Sequence, residues 1–206
     1  MTFVDDIAQV AEKVQKRSGS VSGEEATKMA LIVPFLSALG YDVSDPTEVI
    51  PEYEADFAIK KSGQKEKVDY AISIKNSIVM IVEAKAINQK PQAHDGQLRK
   101  YFNGLISAKI AIVTNGIEYL FYTDLRNDNV MDDEPFFIFN ILNYDDNQVE
   151  NLKLFHRDNF DAVSIKAEAE GMVYINGMTQ LVDSLLRNPS DEFIRFLISQ
   201  LGNIDP

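Results

Sequence analysis

The chain has 206 residues, of which 45% are hydrophobic and 25% charged, and its formal net charge is −12. This length fits one domain with a core of its own, and the composition is typical of a globular protein. The absence of cysteine excludes a disulfide framework and a cysteine-ligated zinc site, and it fits the cytoplasm. No signal peptide is expected, and no apolar run approaches the roughly eighteen residues of a membrane span, so no membrane partner is expected.

The charges are unevenly distributed along the chain. From Lys60 to Lys109 there are ten lysines and arginines against four acids, whereas from Asp124 to Glu170 there are four against twelve. The overall acidity, taken alone, argues against nucleic acid as a partner. The distribution allows two interpretations, namely two solvated faces of opposite sign or a basic surface around a site with an acidic flank.

Two helices are predicted at the start of the chain. The first spans Val4 to Arg17, and these residues share one face: Val4, Ile7, Val10, Ala11 and Val14.

The second helix is predicted to begin after an N-cap at Ser22, with Glu25 completing an S-x-x-E capping box. Gly40 is a natural stop, and Pro34 predicts a kink or break near Val33. Apolar residues recur at helical spacing: Met29, Ile32, Phe35, Leu36 and Leu39.

The middle of the chain predicts strands with one intervening helix. The Asn115-Gly116 pair is a strong hairpin signal between two of the strands. The predicted elements are a strand at Lys67 to Ile74, a turn at Asn76-Ser77, a strand at Ile78 to Ala84, a helix at Pro91 to Ser107, strands at Lys109 to Thr114 and Glu118 to Tyr122, and an edge strand in "PFFIFNI".

From Gln148 onward the pattern is mostly helical, ending in helices at Met178 to Leu186 and Asp191 to Leu201. The order of elements predicts an α/β fold, with a mixed central sheet flanked by helices and a helical C-terminal tail. We place the boundary between residues 1–160 and a helical extension at 161–206. The extension is interpreted as a partner-binding or dimerising element, or as a cap on the core.

The stretch "VDYAISIKNSIVMIVEAKA" places charges in an apolar hairpin. Asp69 and Glu83 are each seven positions from Asn76, so they lie opposite each other if the turn centres there. Lys85 is two residues beyond Glu83 and shares its face. Two carboxylates and one ammonium are therefore expected to cluster at one end of the hairpin.

Neighbouring carboxylates repel each other unless a cation lies between them. Mg²⁺ suits such a pair because it takes carboxylate, carbonyl and water oxygens. A bound ion could polarise a phosphate and orient a water that Lys85 helps to position or deprotonate, which is the chemistry of phosphodiester hydrolysis. The alternative is an Asp–Lys ion pair at a strand end, with Glu83 pointing to solvent.

Asp69 followed by Glu83-Ala84-Lys85 resembles the PD-(D/E)xK nuclease motif, with Val68 where many members have proline. The stretches "EEATKMALIVPFLSALGYDV", "QLRKY" and "AIVTNGIEYLFY" extend the resemblance over roughly residues 22–125. Together they resemble the N-terminal nuclease domain of type I restriction enzyme R subunits. The resemblance implies a restriction-endonuclease-like fold.

The resemblance also implies roles for individual residues. Asp69 and Glu83 would be ligands of Mg²⁺ or Mn²⁺, and Lys85 would be the catalytic lysine. Gln97 and Tyr101, four apart on one helix face, would touch the lysine or the DNA backbone; otherwise they are a polar helix residue and a half-buried core tyrosine.

An acid from the first family helix would complete the site. Alignment to Thr27 and Lys28 favours Glu24, whereas Glu25 is expected closer to the apolar stripe, so both remain candidates. His94 is interpreted as solvated rather than as a ligand.

One departure from the R subunits concerns the motor. The chain contains no G-x-x-x-x-G-K-[ST] loop, so it is not expected to translocate DNA by itself. Motor, specificity or methylation subunits are expected as partners, together with DNA.

Three functions remain open at this stage. The first is a metal-dependent DNA endonuclease of a restriction or phage-related system, and the second is a catalytically silent DNA- or protein-binding module of the same fold. The third is an RNA nuclease, which the same metal chemistry would serve. Cleavage of both DNA strands with one site per chain suggests a homodimer or transient pairing.

Overall fold

The structure is a computed structural model that describes residues 2–55, 67–91 and 96–201. In these residues one sheet of six strands is ordered β1 to β6 along its width. The strands are β1 (Val49–Tyr53), β2 (Val68–Ile74), β3 (Ser77–Ala84), β4 (Ile110–Thr114), β5 (Glu118–Tyr122) and β6 (Phe137–Asn140). Neighbouring strands are antiparallel except β3 and β4, which are parallel, so the sheet is mixed.

Helices cover both faces of the sheet. The α-helices of the described residues, not all of which pack on the sheet, are α1 (Phe3–Arg17), α2 (Glu24–Thr27), α3 (Val33–Ala38), α4 (Gln97–Gly104), α5 (Asp146–Leu152), α6 (Ala162–Arg187) and α7 (Asp191–Leu201). Ile7 of α1, Phe35 of α3 and Ile165 of α6 belong to the larger core on one face, whereas Leu98 and Phe102 of α4 belong to the core on the other. The predicted α/β fold, with a mixed sheet, flanking helices and a helical C-terminal tail, is confirmed.

The second predicted helix begins and runs differently from the prediction. Gly23, with a φ of 79°, is the N-cap instead of Ser22, and a π-helical turn at Lys28–Ile32 separates α2 from α3. A π turn holds an extra residue and shifts the buried face. Met29, expected in the core, is therefore 71% exposed.

The first helix and the break near Val33 follow the sequence more closely. Val4 is exposed, although the remaining predicted face of α1 packs inward. The break is confirmed, because α3 begins at Val33 with Pro34 in its first turn. Pro34 cannot donate to the carbonyl of Ala30, and the guanidinium of Arg17 donates to that oxygen instead, at 3.2 Å.

Other differences concern element lengths. Strand β1 was not predicted, because its sequence contains Pro51; β1 is an edge strand that pairs with β2 alone, where proline is tolerated. Within the described residues α4 begins at Gln97 rather than Pro91, and 92–95 lie outside them. Helix α6 begins sixteen residues before the predicted Met178. No helix in the described part of the chain has the length and hydropathy of a membrane span.

The Asn115-Gly116 hairpin is confirmed between β4 and β5, and Gly116 touches the helical layer. Gly116 has a φ of 79°, and a Cβ there would lie 2.7 Å from Leu31 Cβ. We expect Gly116→Ala to lower the free energy of unfolding by about 2–4 kcal/mol, through backbone strain and overpacking. Urea unfolding checks this, with Gly19→Ala as control because open space surrounds Gly19. Equal stability of both variants would contradict the expectation.

Candidate active site

The β2–β3 hairpin brings the predicted carboxylates to one end of the sheet. Tyr70 lies opposite Val82, the register that the sequence predicted for the neighbouring Asp69 and Glu83. The Oδ2 atom of Asp69 accepts a hydrogen bond from the backbone N–H of Ala84 at 2.7 Å. The side chain of Asp69 is therefore fixed against the strand that carries Glu83.

Asp69 pairs with a lysine that the sequence did not single out. The ammonium of Lys28, at the start of the π turn, lies 2.8 Å from Asp69 Oδ1. Lys28 is 4% exposed and Asp69 is largely buried. The alternative of an Asp–Lys pair at a strand end is thus realised, but by Lys28 rather than Lys85.

Three further carboxylates surround the Lys28 ammonium. Their distances from Nζ are 2.5 Å for Glu25, 3.6 Å for Glu52 and 3.7 Å for Glu24. Burial alone would lower the pKa of Lys28, but the hydrogen bonds to Asp69 and Glu25 outweigh it and raise that pKa above the ordinary lysine value. The side chain of Glu24 is 44% exposed and that of Glu25 is 83%, so Glu24, not Glu25, lies nearer the buried face.

Glu83 and Lys85 form a second ion pair next to this cluster. Lys85 Nζ lies 3.0 Å from Glu83 Oε1, and Glu83 is 8% exposed, so the alternative that Glu83 points to solvent is wrong. The backbone N–H of Lys85 donates to the carbonyl of Thr114 at 2.8 Å. Lys85 is thereby held where β3 ends beside the parallel strand β4.

Gln97 and Tyr101 lie on α4, beside the start of β2. The side-chain amide of Gln97 donates to the carbonyl of Lys67, the residue before β2. Tyr101 is fully buried, and its hydroxyl accepts a hydrogen bond from the N–H of Ala55 at 3.4 Å. Both side chains thus bind backbone near the site, and their contact with DNA stays a prediction.

The donor set has the chemistry that Mg²⁺ requires. In the described residues no group of three or more carboxylate or histidine side chains has an arrangement that could by itself hold a metal ion. Proteins nevertheless bind Mg²⁺ through one or two carboxylates, with waters completing the shell. Asp69 and Glu83 supply two carboxylates from adjacent strands. Each has one oxygen paired with a lysine, and the second oxygen of Asp69 accepts the hydrogen bond from Ala84.

The basic segment is less cationic at its surface than its composition suggests. Lys67, Lys85, Arg99 and Lys109 each lie within ion-pair distance of a carboxylate. Several other members of the segment, together with His94, lie outside the described residues.

Sequence reasoning missed Lys28 and Glu52. Lys28 precedes Leu31 and Ile32 by three and four residues, so it occupies a core-facing position, and a lysine there was the available signal. Glu52 carried no such signal, because its strand was not predicted. Its φ of 51° is the left-handed conformation, uncommon for a glutamate.

The comparisons with known proteins concern this part of the chain. Residues 55–130 match the family model of the type I restriction enzyme R protein N terminus. A solved fragment described as the HsdR subunit of a type I restriction enzyme from Vibrio vulnificus YJ016 is 24% identical, with a TM-score of 0.41. The match covers 52% of this chain and 22% of that one, and no curated protein matches. The predicted resemblance to the N-terminal domain of type I restriction enzyme R proteins is confirmed, and the matching segment contains Asp69, Glu83 and Lys85.

Proposed function

We propose that this chain is a metal-dependent DNA endonuclease of the PD-(D/E)xK type, from a restriction or phage-related system. The observation that carries the proposal is the position of Asp69, Glu83 and Lys85 at one end of two paired strands, inside the segment that matches the family. Burying these two carboxylates has a desolvation cost that the Lys28 and Lys85 ammonium groups offset. Such clusters of partly buried charges are frequent at functional sites.

The site residues would have different roles in the proposed reaction. Asp69 and Glu83 would hold Mg²⁺ or Mn²⁺, which polarises a phosphate and lowers the pKa of a bound water. Lys85 would position or deprotonate the attacking water, and its charge would stabilise the phosphate in the transition state. Glu24 and Glu25 pair with the same Lys28 ammonium as Asp69, and they would add negative charge to the site.

Gln97 and Tyr101 would act by binding the backbone of the protein itself rather than DNA. Gln97 binds the carbonyl before β2, and Tyr101 binds the N–H of Ala55. These bonds support the chain just after β1 and just before β2, and therefore the position of Asp69 near the start of β2. We assign both residues a positioning role.

The proposal is tested by incubating the purified chain with supercoiled plasmid and with RNA of matched sequence. We expect nicked or linear DNA with Mg²⁺ or Mn²⁺, none with EDTA, and intact RNA. Cleavage of RNA alone would transfer the same site to an RNA nuclease. If the chain binds a divalent ion but cleaves neither DNA nor RNA, the proposal that it is a nuclease is contradicted.

A catalytically silent module is the second candidate function. Two observations favour it, namely the Lys28 ammonium on Asp69 and a calculated pI of about 4.6, which opposes strong DNA binding unaided. Such a module would retain DNA or a protein partner in EDTA and bind no divalent ion. Calorimetry with Mn²⁺ and DNA retention measured in EDTA separate the two candidates.

The partners follow from the proposed reaction. DNA would be the substrate, and motor, specificity or methylation subunits would supply translocation and site choice, since the sequence has no phosphate-binding loop of its own. We place the protein in the cytoplasm, where such DNA substrates occur.

A further inference from the structure

Lys28 is the least exposed charged side chain of the site, and its neighbours fix its position. Thr27, the preceding residue, is fully buried, and its hydroxyl accepts a hydrogen bond from the N–H of Ile87 at 3.1 Å. The π turn starts at Lys28 itself. π turns are rare and occur frequently at functional sites. The ammonium is thus held between the helical layer and the sheet.

The charges around Lys28 do not balance. One ammonium lies within 3.7 Å of oxygens from four carboxylates, those of Glu24, Glu25, Glu52 and Asp69. Glu52 also lies 3.9 Å from the ammonium of Lys67. Two monovalent cations against four carboxylates still leave an excess of negative charge, which a further cation would reduce. One of the oxygens that face Lys28, at 2.8 Å, belongs to Asp69, the proposed metal ligand.

We propose that Lys28 is a positioning residue of the nuclease site, which holds the Asp69 carboxylate in place and opposes divalent-ion binding to it. This inference rests on the proposed function for its consequence, but its test does not require cleavage. The ammonium and a divalent ion are attracted to the same oxygen, and each repels the other. Removal of the lysine charge should therefore strengthen ion binding, even as it loosens the fold.

A purely structural ion pair makes a different prediction. In that case Lys28 would only connect the helical layer to β2, and its loss would destabilise the protein without changing its affinity for metal. Stability and affinity must therefore be measured together.

The test uses Lys28→Gln, which removes the charge and keeps a polar side chain that is one bond shorter than lysine. Mn²⁺ affinity is measured by calorimetry, and the unfolding midpoint is measured in EDTA and in Mg²⁺. We expect at least tenfold tighter Mn²⁺ binding than in wild type. We also expect a lower unfolding midpoint in EDTA, and a larger rise of that midpoint on adding Mg²⁺.

Three further variants keep the result interpretable. Lys28→Arg retains the charge and should not bind Mn²⁺ more tightly, and Lys28→Met repeats the loss of charge with a second side chain. Lys16→Met removes an exposed lysine that pairs with Glu12 and should change nothing.

Unchanged or weaker Mn²⁺ binding by both folded variants, Lys28→Gln and Lys28→Met, would overturn the inference. Tighter binding by either variant, with no DNA cleavage by wild type, would support the inference and count against the proposed function. DNA cleavage by wild type, with unchanged ion binding by both variants, would support the proposed function and overturn the inference about Lys28.

Discussion

Asp69→Asn is expected to abolish DNA cleavage and Lys85→Met to slow it strongly, for different reasons. Asp69→Asn keeps almost the shape of the aspartate side chain but removes its charge, so both divalent-ion binding and cleavage should be lost. Lys85→Met leaves both carboxylates in place, so ion binding should survive while the cleavage rate falls roughly 100- to 1,000-fold, as when one stabilising group of a transition state is removed. Calorimetry with Mn²⁺ and timed plasmid assays measure the two quantities.

The control for this pair is Lys90→Met. Lys90 is an exposed lysine five residues after Lys85, and its loss should leave both quantities unchanged. If Asp69→Asn cleaved plasmid at the wild-type rate, the active site would lie elsewhere. Loss of ion binding in Lys85→Met would mean that Lys85 maintains the structure of the site rather than takes part in the reaction. Circular dichroism of each variant identifies any that fails to fold.

The hairpin register was predictable, although the turn was not placed correctly. The turn is Lys75-Asn76, with φ values of 51° and 62°, one residue earlier than predicted. A one-residue shift of pairing between Ile72 and Ser73 then restores the predicted register towards Asp69. Ile72 and Met80 pack in one core and Ala71 and Ile81 in the other, so a one-residue slip would exchange the two faces. The bulge reconciles this register with the turn.

The contacts of Lys28 were not predictable from spacing. Lys28 and Asp69 are 41 residues apart in the sequence, and the π turn determines which helix residues face the sheet. Helical periodicity assumes 3.6 residues per turn throughout, so it placed Met29 inward. Strand β1, which brings Glu52 to Lys28, has a proline in a five-residue edge strand and therefore little strand signal.

The C-terminal helices have an apolar surface that the rest of the described chain does not cover. Ile165 and Ala169, near the start of α6, are buried in the core, so the first turns of the predicted extension pack on the sheet domain. Farther along, α6 and α7 expose large side chains: Val173, Tyr174, Ile175, Met178, Leu181, Val182, Leu186, Ile194, Phe196, Leu197, Ile198 and Leu201.

The exposed apolar side chains of α6 and α7 together match one side of a standard interface in area. At about 150–200 Å² per large side chain, of which about half is exposed, these residues, taken over all faces of the two helices, offer roughly 1,000 Å², against about 800 Å² per partner in a standard interface. Ile175, Met178, Val182 and Leu186 recur every three or four residues, so one face of α6 can pack along the same face of a second copy.

We therefore expect the chain to have twice its monomer mass of 23.2 kDa in solution. A double variant, Ile175→Asp with Leu186→Asp, places two charges on that face and should give monomers, whereas Val163→Asp, an exposed change near the start of α6, should not. Light scattering after gel filtration measures the mass, and intact folding is checked by circular dichroism.

Dimerisation would also decide how DNA is cut. Each chain has one proposed Asp69–Glu83–Lys85 site, so under the proposed function two chains would act together to cut both strands in one binding event. The monomeric double variant should therefore nick plasmid at a rate close to that of wild type but produce linear DNA much more slowly. A monomeric wild type that linearises plasmid without a nicked intermediate would contradict this account, because a single site would then be cutting both strands.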